Sequence, residues 1–86
     1  MNMRQARRII GRNLKNRRED LGITQKSVAE FAGLSRTTLW KIEKGRSSLP
    51  LEATPGVLKY LDLGDDPLVL LSPIPRPWGK GVLDSD

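Results

Sequence analysis

The sequence predicts an all-α protein of four to five short helices around one small core. Three observations predict it. Apolar residues recur at helical spacing, as in Ile10, Leu14 and Leu21 or in Val57, Leu58 and Leu61. Glycines at 22, 33 and 45 alternate with Thr24 and Ser35, residue types that end and begin helices. The chain has 86 residues and is 37% hydrophobic, which suits one domain with one modest core. The expected layout is a helical domain over residues 4–63, then residues 64–86 as a short strand and a tail.

Each element has a local reason. Met3, Ala6, Ile10, Leu14 and Leu21 follow one helical stripe with Arg and Lys on the other faces, so residues 4–21 form the first helix and Gly22 ends it. Thr24 caps a second helix, Gln25 to Ala32, with Val28, Ala29 and Ala32 on its apolar face and Phe31 at the edge. Small residues at 29 and 32 let another helix approach closely. Gly33 breaks the chain, and Ser35 caps a third helix from Arg36 to Lys44, which Gly45 terminates. A fourth helix within residues 51–63 offers Leu51, Val57, Leu58 and Leu61 to the core. Pro55 interrupts it, which favours a helix from 51 with a bend or restart near 55 over a two-turn helix from 55 to 62.

The third helix divides into two faces. Leu39 and Ile42 point to the core, joined by Leu34. Arg36, Trp40 and Lys44 stack at i, i+4, i+8 on the other side, with Thr37 and Lys41 beside them. Two helices joined by a short Gly-containing turn match the helix-turn-helix pattern. Charge agrees with an anionic partner. Residues 1–46 carry twelve Lys and Arg against four Asp and Glu, and residues 47–86 carry three against six. A basic half of this strength is the footprint of a polyanion, most often nucleic acid.

Composition excludes several classes. With no Cys, disulfide frameworks and thiolate zinc sites are excluded, and with no His a metal site or His-based catalysis is not expected. No cofactor and no enzymatic activity are expected. No apolar run is long enough to span a membrane or to serve as a signal peptide, so the expected location is the cytoplasm, at the nucleoid.

The C-terminal part adds an expectation about assembly. DDPLVLLSP (65–73) reads as a short strand, an apolar run between acidic residues and proline. A lone strand would be an aggregation hazard, and pairing with the same strand of a second copy would remove it. That gives a homodimer, which suits palindromic DNA. The rival is an extended tail over its own core. In IPRPWGKGVLDSD (74–86) the prolines favour an extended chain, and Trp78 anchors either in a partner or on its own domain or dimer mate.

Residues 9–63 resemble the Cro/C1-type (Xre family) domain, a lambda-repressor-like helix-turn-helix module of phage repressors, restriction controllers and antitoxins. The stretches that carry the resemblance are IGRNLKNRREDLGITQ, VAEFAGLSRTTLWKIEKG and the leucine-rich closing helix. Thr24, Gln25, Ala29, Gly33, Ser35, Ile42, Glu43 and Gly45 stand at the family's positions. The strand and tail are similar in layout to HipB-type antitoxins, which implies autorepression and a HipA-like kinase toxin as partner, contacted near Trp78. A phage-type repressor, a restriction-modification controller and an adaptor without DNA binding are the alternatives.

The resemblance also implies site roles on double-stranded DNA, a palindromic operator bound by the dimer. Arg36, Thr37, Trp40 and Lys41 would meet bases, Arg36 gripping guanine with two hydrogen bonds. Trp40 would press on a thymine methyl or a sugar, or tuck beside the first helix. Gln25, Ser35, Lys44, Arg46 and Arg17 would contact phosphates. Arg18 and Glu43 would form a structural salt bridge between the first and third helices.

Overall fold

A computed structural model of the chain describes residues 1–74, and these fold as four α-helices and two 3-10 segments. Helix α1 spans Met3–Asp20, α2 Gln25–Ala32, α3 Arg36–Glu43 and α4 Thr54–Tyr60. One 3-10 turn, Leu51–Ala53, leads into α4, and a 3-10 helix, Pro67–Leu71, follows it.

The helix ends follow local chemistry. Asn2 starts α1: its side chain accepts from the Gln5 N–H at 2.8 Å, and the Gln5 side chain accepts from the Asn2 N–H at 3.1 Å. That reciprocal box satisfies two donors that no helical bond reaches. Thr24 caps α2 through the Ser27 N–H, and Ser35 caps α3 through the Thr38 N–H. Gly33 ends α2 at φ +74°, a left-handed conformation that a side chain would oppose.

The segment around Pro55 is split in two, a 3-10 turn running into α4. The Thr54 hydroxyl donates back to the Pro50 carbonyl at 2.8 Å. Pro55 sits in the first turn of α4, where its missing N–H would have had no helical partner.

The core is Leu14 of α1, Val28 and Ala29 of α2, Leu39 and Ile42 of α3, Val57, Leu58 and Leu61 of the α4 region, and Leu70 of the last 3-10 helix. Three residues expected inside are outside. Met3 and Leu21, at the two ends of α1, are exposed, and Leu51 is 82% exposed because the chain has not yet entered α4 there. Phe31, expected at the edge of its helix, is half exposed and stacks on Tyr60 with ring centroids 4.6 Å apart, which joins α2 to α4.

The C-terminal strand is not formed, and no strand occurs among the described residues. Residues 67–71 coil instead as a 3-10 helix. Asp66 caps it by accepting from the Leu68 N–H at 3.0 Å. Its Leu70 fills a place in the core, and Asn13 of α1 donates to the carbonyls of Leu70 (2.7 Å) and Ser72 (3.1 Å). Carbonyls held within the chain leave no strand edge to pair with a second copy, so the strand-paired dimer falls with the strand.

Two glycines set helix crossings, and they differ. Gly11 of α1 lies against the end of α3, where a Cβ would collide with the Ile42 carbonyl oxygen and lie 2.8 Å from that of Glu43. Gly56 of α4 faces Ala32 of α2, and a Cβ there would sit 3.5 Å from the Ala32 Cα, an ordinary contact. The two alanine substitutions should therefore have opposite signs. Gly11→Ala is expected to destabilise by about 2 kcal/mol or more, since α1 must move off α3. Gly56→Ala is expected to stabilise by about 0.5–1 kcal/mol through the lost flexibility of the unfolded chain. Urea unfolding of the two variants checks this.

Candidate nucleic-acid interface

Helix α3 is capped by Ser35 and anchored inward by Leu39 and Ile42, so its other side is solvent-facing by default. Arg36, Thr37, Trp40 and Lys41 are all exposed there. Arg36, Thr37 and Trp40 line one shallow concavity together with Gln25 from the start of α2. The turn between the helices thus brings two helix beginnings to one surface. Lys44 ends α3 and Arg46 follows Gly45. The Lys44 ammonium lies 5.7 Å and the Arg46 guanidinium 5.2 Å from the centre of the Trp40 ring. The indole, 38% exposed, is a shelf that holds both cations near α3.

Beneath this surface lies a buried carboxylate. Glu43 is 8% exposed and accepts from three donors. Arg18 of α1 reaches it twice, through Nε at 2.7 Å and Nη2 at 3.1 Å. Gln25 donates to it through Nε2 at 3.0 Å. Arg18 also donates to the Ile23 carbonyl at 2.9 Å, tying in the turn before α2. The hydrogen bonds that Arg18 donates to Glu43 raise its pKa above the ordinary arginine value. Burial works against that rise, and the charges of Glu43 and Glu19 add to it. Arg18 and Glu43 form the ion pair between the first and third helices, with Nε and Oε2 2.7 Å apart.

Other residues expected at the site are engaged elsewhere. Arg17 donates through Nε to the Leu61 carbonyl at 2.8 Å and through Nη2 to the Asp62 carbonyl at 3.2 Å. Its guanidinium serves as a side-chain cap for the end of α4, where carbonyls lack helical partners and Asp62 turns left-handed at φ 55°. The Ser35 hydroxyl donates to the Thr38 hydroxyl at 2.8 Å while accepting the Thr38 N–H, so its side chain serves the cap. The Gln25 amide already spends one N–H on Glu43, which fixes the group and leaves a second N–H for a ligand. Trp78 lies outside the described residues.

Asn13 and the actual partner of Arg17 escaped the sequence reading. Neither carries a local signal, because both bind backbone carbonyls more than 40 residues away, and only the tertiary fold brings these together.

Comparison with known proteins places this geometry. A family model described as a helix-turn-helix domain matches residues 9–71. The chain is also similar to proteins named as candidate HTH-type transcriptional regulatory proteins, one from Saccharolobus islandicus and one from Saccharolobus solfataricus. Each is 43% identical over 54 residues, which is 62% of this chain and 16% of the relative. The chain thus spans about a sixth of the length of these curated relatives.

Removing one partner of the buried pair leaves the other charge unpaired. Glu43→Ala is expected to destabilise by about 3 kcal/mol. The double variant Arg18→Met with Glu43→Leu should recover most of that loss in chemical denaturation, because a desolvated ion pair contributes little net stability over an apolar pair.

Proposed function

The chain belongs to the helix-turn-helix domain family, and on that premise we propose that it is a sequence-specific DNA-binding regulator of transcription. The family is a regulatory one rather than an enzyme family. The observation that carries the reading is the single surface on which Gln25, Arg36, Thr37 and Trp40 meet, bordered by Lys41, Lys44 and Arg46. Helix α3 enters the major groove. Arg36, at its N-terminus, reads guanine through O6 and N7, with Thr37 and Lys41 beside it. Trp40 braces Lys44 and Arg46, which bind the phosphate backbone, and Gln25 gives its second N–H to a phosphate at the start of α2. Arg17 and Ser35 support the domain and the reader helix through their hydrogen bonds within the chain.

An eight-residue helix reads only a few base pairs, so we propose a homodimer on a palindromic operator upstream of its own gene. With no strand to pair among the described residues, the face for the second copy is the apolar groove lined by Leu51, Pro55, Leu58 and Pro67, next to Leu68, which is 65% exposed. The antitoxin setting with a HipA-like kinase loses its main argument with the strand. What is left for it is Trp78, outside the described residues, so the regulator reading is made without it.

Titration of a duplex from upstream of the gene, against a scrambled duplex of equal length, tests the reading. Tight binding to the native duplex that survives moderate salt is expected. Arg36→Ala should lose about 1–3 kcal/mol of discrimination while still binding both duplexes weakly. Equal binding to both by the unaltered protein defeats sequence-specific regulation. For the dimer, Leu51→Glu combined with Leu68→Glu is expected to give a monomer in sedimentation equilibrium. Its operator binding should be weaker, and its melting temperature nearly unchanged, since both side chains are exposed.

A further inference from the structure

The interface reaches beyond α3 and its flanking loop. We propose that Arg4, Arg8 and Arg12 of α1 form a second row of phosphate contacts on duplex DNA, outside the base pairs that α3 reads. The inference rests on the DNA-binding reading and deepens it.

Its starting point is Gly45. The backbone there is left-handed, at φ +76°, and pressed against α1: a Cβ would lie 3.0 Å from Cγ of Arg8 and 3.1 Å from its Cα. Gly45 stands between Lys44 and Arg46, the two cations held over Trp40. Arg8 therefore adjoins the phosphate-binding loop directly. From Arg8 the row runs along the helix, because Arg4 and Arg12 lie one turn away on either side and all three are exposed. Arg8 and Arg12 border one shallow concavity with Gln5 and Ile9. At 1.5 Å per residue the three arginines are about 6 Å apart and the row is about 12 Å long, the axial rise of three to four base pairs at about 3.4 Å each.

The row is unbalanced within the chain. Residues 1–18 contain no Asp or Glu. No salt bridge among the described residues involves Arg4, Arg8 or Arg12. Like charges at i, i+4 destabilise a helix, so the row works against α1 as long as it is alone. Phosphates along a duplex would reverse that sign, and the row is continuous with a surface already fitted to a duplex.

The test is a salt series on the full chain with two probes, the upstream duplex and its scrambled counterpart, so it needs no knowledge of the operator. Each phosphate contact adds about 0.9 to the slope of log K on log salt. Replacing Arg4, Arg8 and Arg12 together by Gln should lower the slope by about 2 to 3 on both duplexes and leave the ratio between them unchanged. Replacing the same three by Lys should keep the slope, since phosphate contact needs charge. The Lys variant should melt with the parent and the Gln variant at or slightly above it, since the positions are exposed and Gln removes the repulsion within the row. An unchanged slope in the Gln variant overturns the proposal while leaving the DNA-binding reading intact. A changed ratio between the duplexes would mean that the row reads bases, which also overturns it. If the parent protein binds neither duplex, the regulator reading and this inference fall together.

Discussion

The Glu43 carboxylate is the interaction on which the site depends. It is buried at the end of α3, and a buried charge is tolerated only where donors replace its lost water. Here they come from two directions, Arg18 from α1 and Gln25 from the start of α2. Fixing one carboxylate therefore fixes the angle between both helices of the helix-turn-helix and the helix behind them. Its net contribution to stability is small, because desolvation offsets most of the attraction. What it supplies is a single arrangement. An apolar contact at the same place would tolerate sliding between the helices, whereas a three-donor carboxylate does not.

The same constraint explains why α1 and α3 approach so closely. Gly11 removes the side chain that would keep them apart, and the α3 carbonyls occupy the space. Leu14, one turn further along α1, then reaches the core shared with Leu39 and Ile42. The ion pair and the close crossing reinforce each other: the glycine shortens the reach that Arg18 must span, and the ion pair sets the rotation at which the glycine faces α3. The exposed residues on the outer face of α3 inherit this rigidity, since Leu39, Ile42 and Glu43 hold its inner face.

Much of this was legible in the sequence, and the parts that were not share a physical reason. The boundaries of α2 and α3 follow from Thr24, Gly33 and Ser35, because caps act over three or four residues and leave a local trace. The outward stripe of α3 follows from its 3.6-residue period. PLVLL has no such trace. Its composition suits a strand, and a 3-10 turn forms only because Asp66 caps it and Asn13, more than 50 residues earlier, takes its carbonyls. Leu51 looked like a core leucine by composition, yet it precedes the helix that would have turned it inward. Gly11 carried no sign of a crossing, since a glycine inside a helical stripe reads only as a weak spot until the partner helix is in place.

The distribution of charge has the same logic at larger scale. Arginine occurs in α1 with two different uses. Arg17 and Arg18, at the C-terminal end, are consumed by carbonyls and by Glu43, where the helix dipole also favours a cation. Arg4, Arg8 and Arg12 have no acidic neighbour along the first eighteen residues and no salt bridge among the described residues. A sequence under pressure for stability alone would place Glu four residues before such arginines, where each pair adds a few tenths of a kcal/mol. The row adjoins Gly45, between Lys44 and Arg46, and so lies at the edge of the surface that α3 presents. The stability forgone in α1 would be recovered by an anion lying along the row, and a duplex backbone is long enough to span its roughly 12 Å.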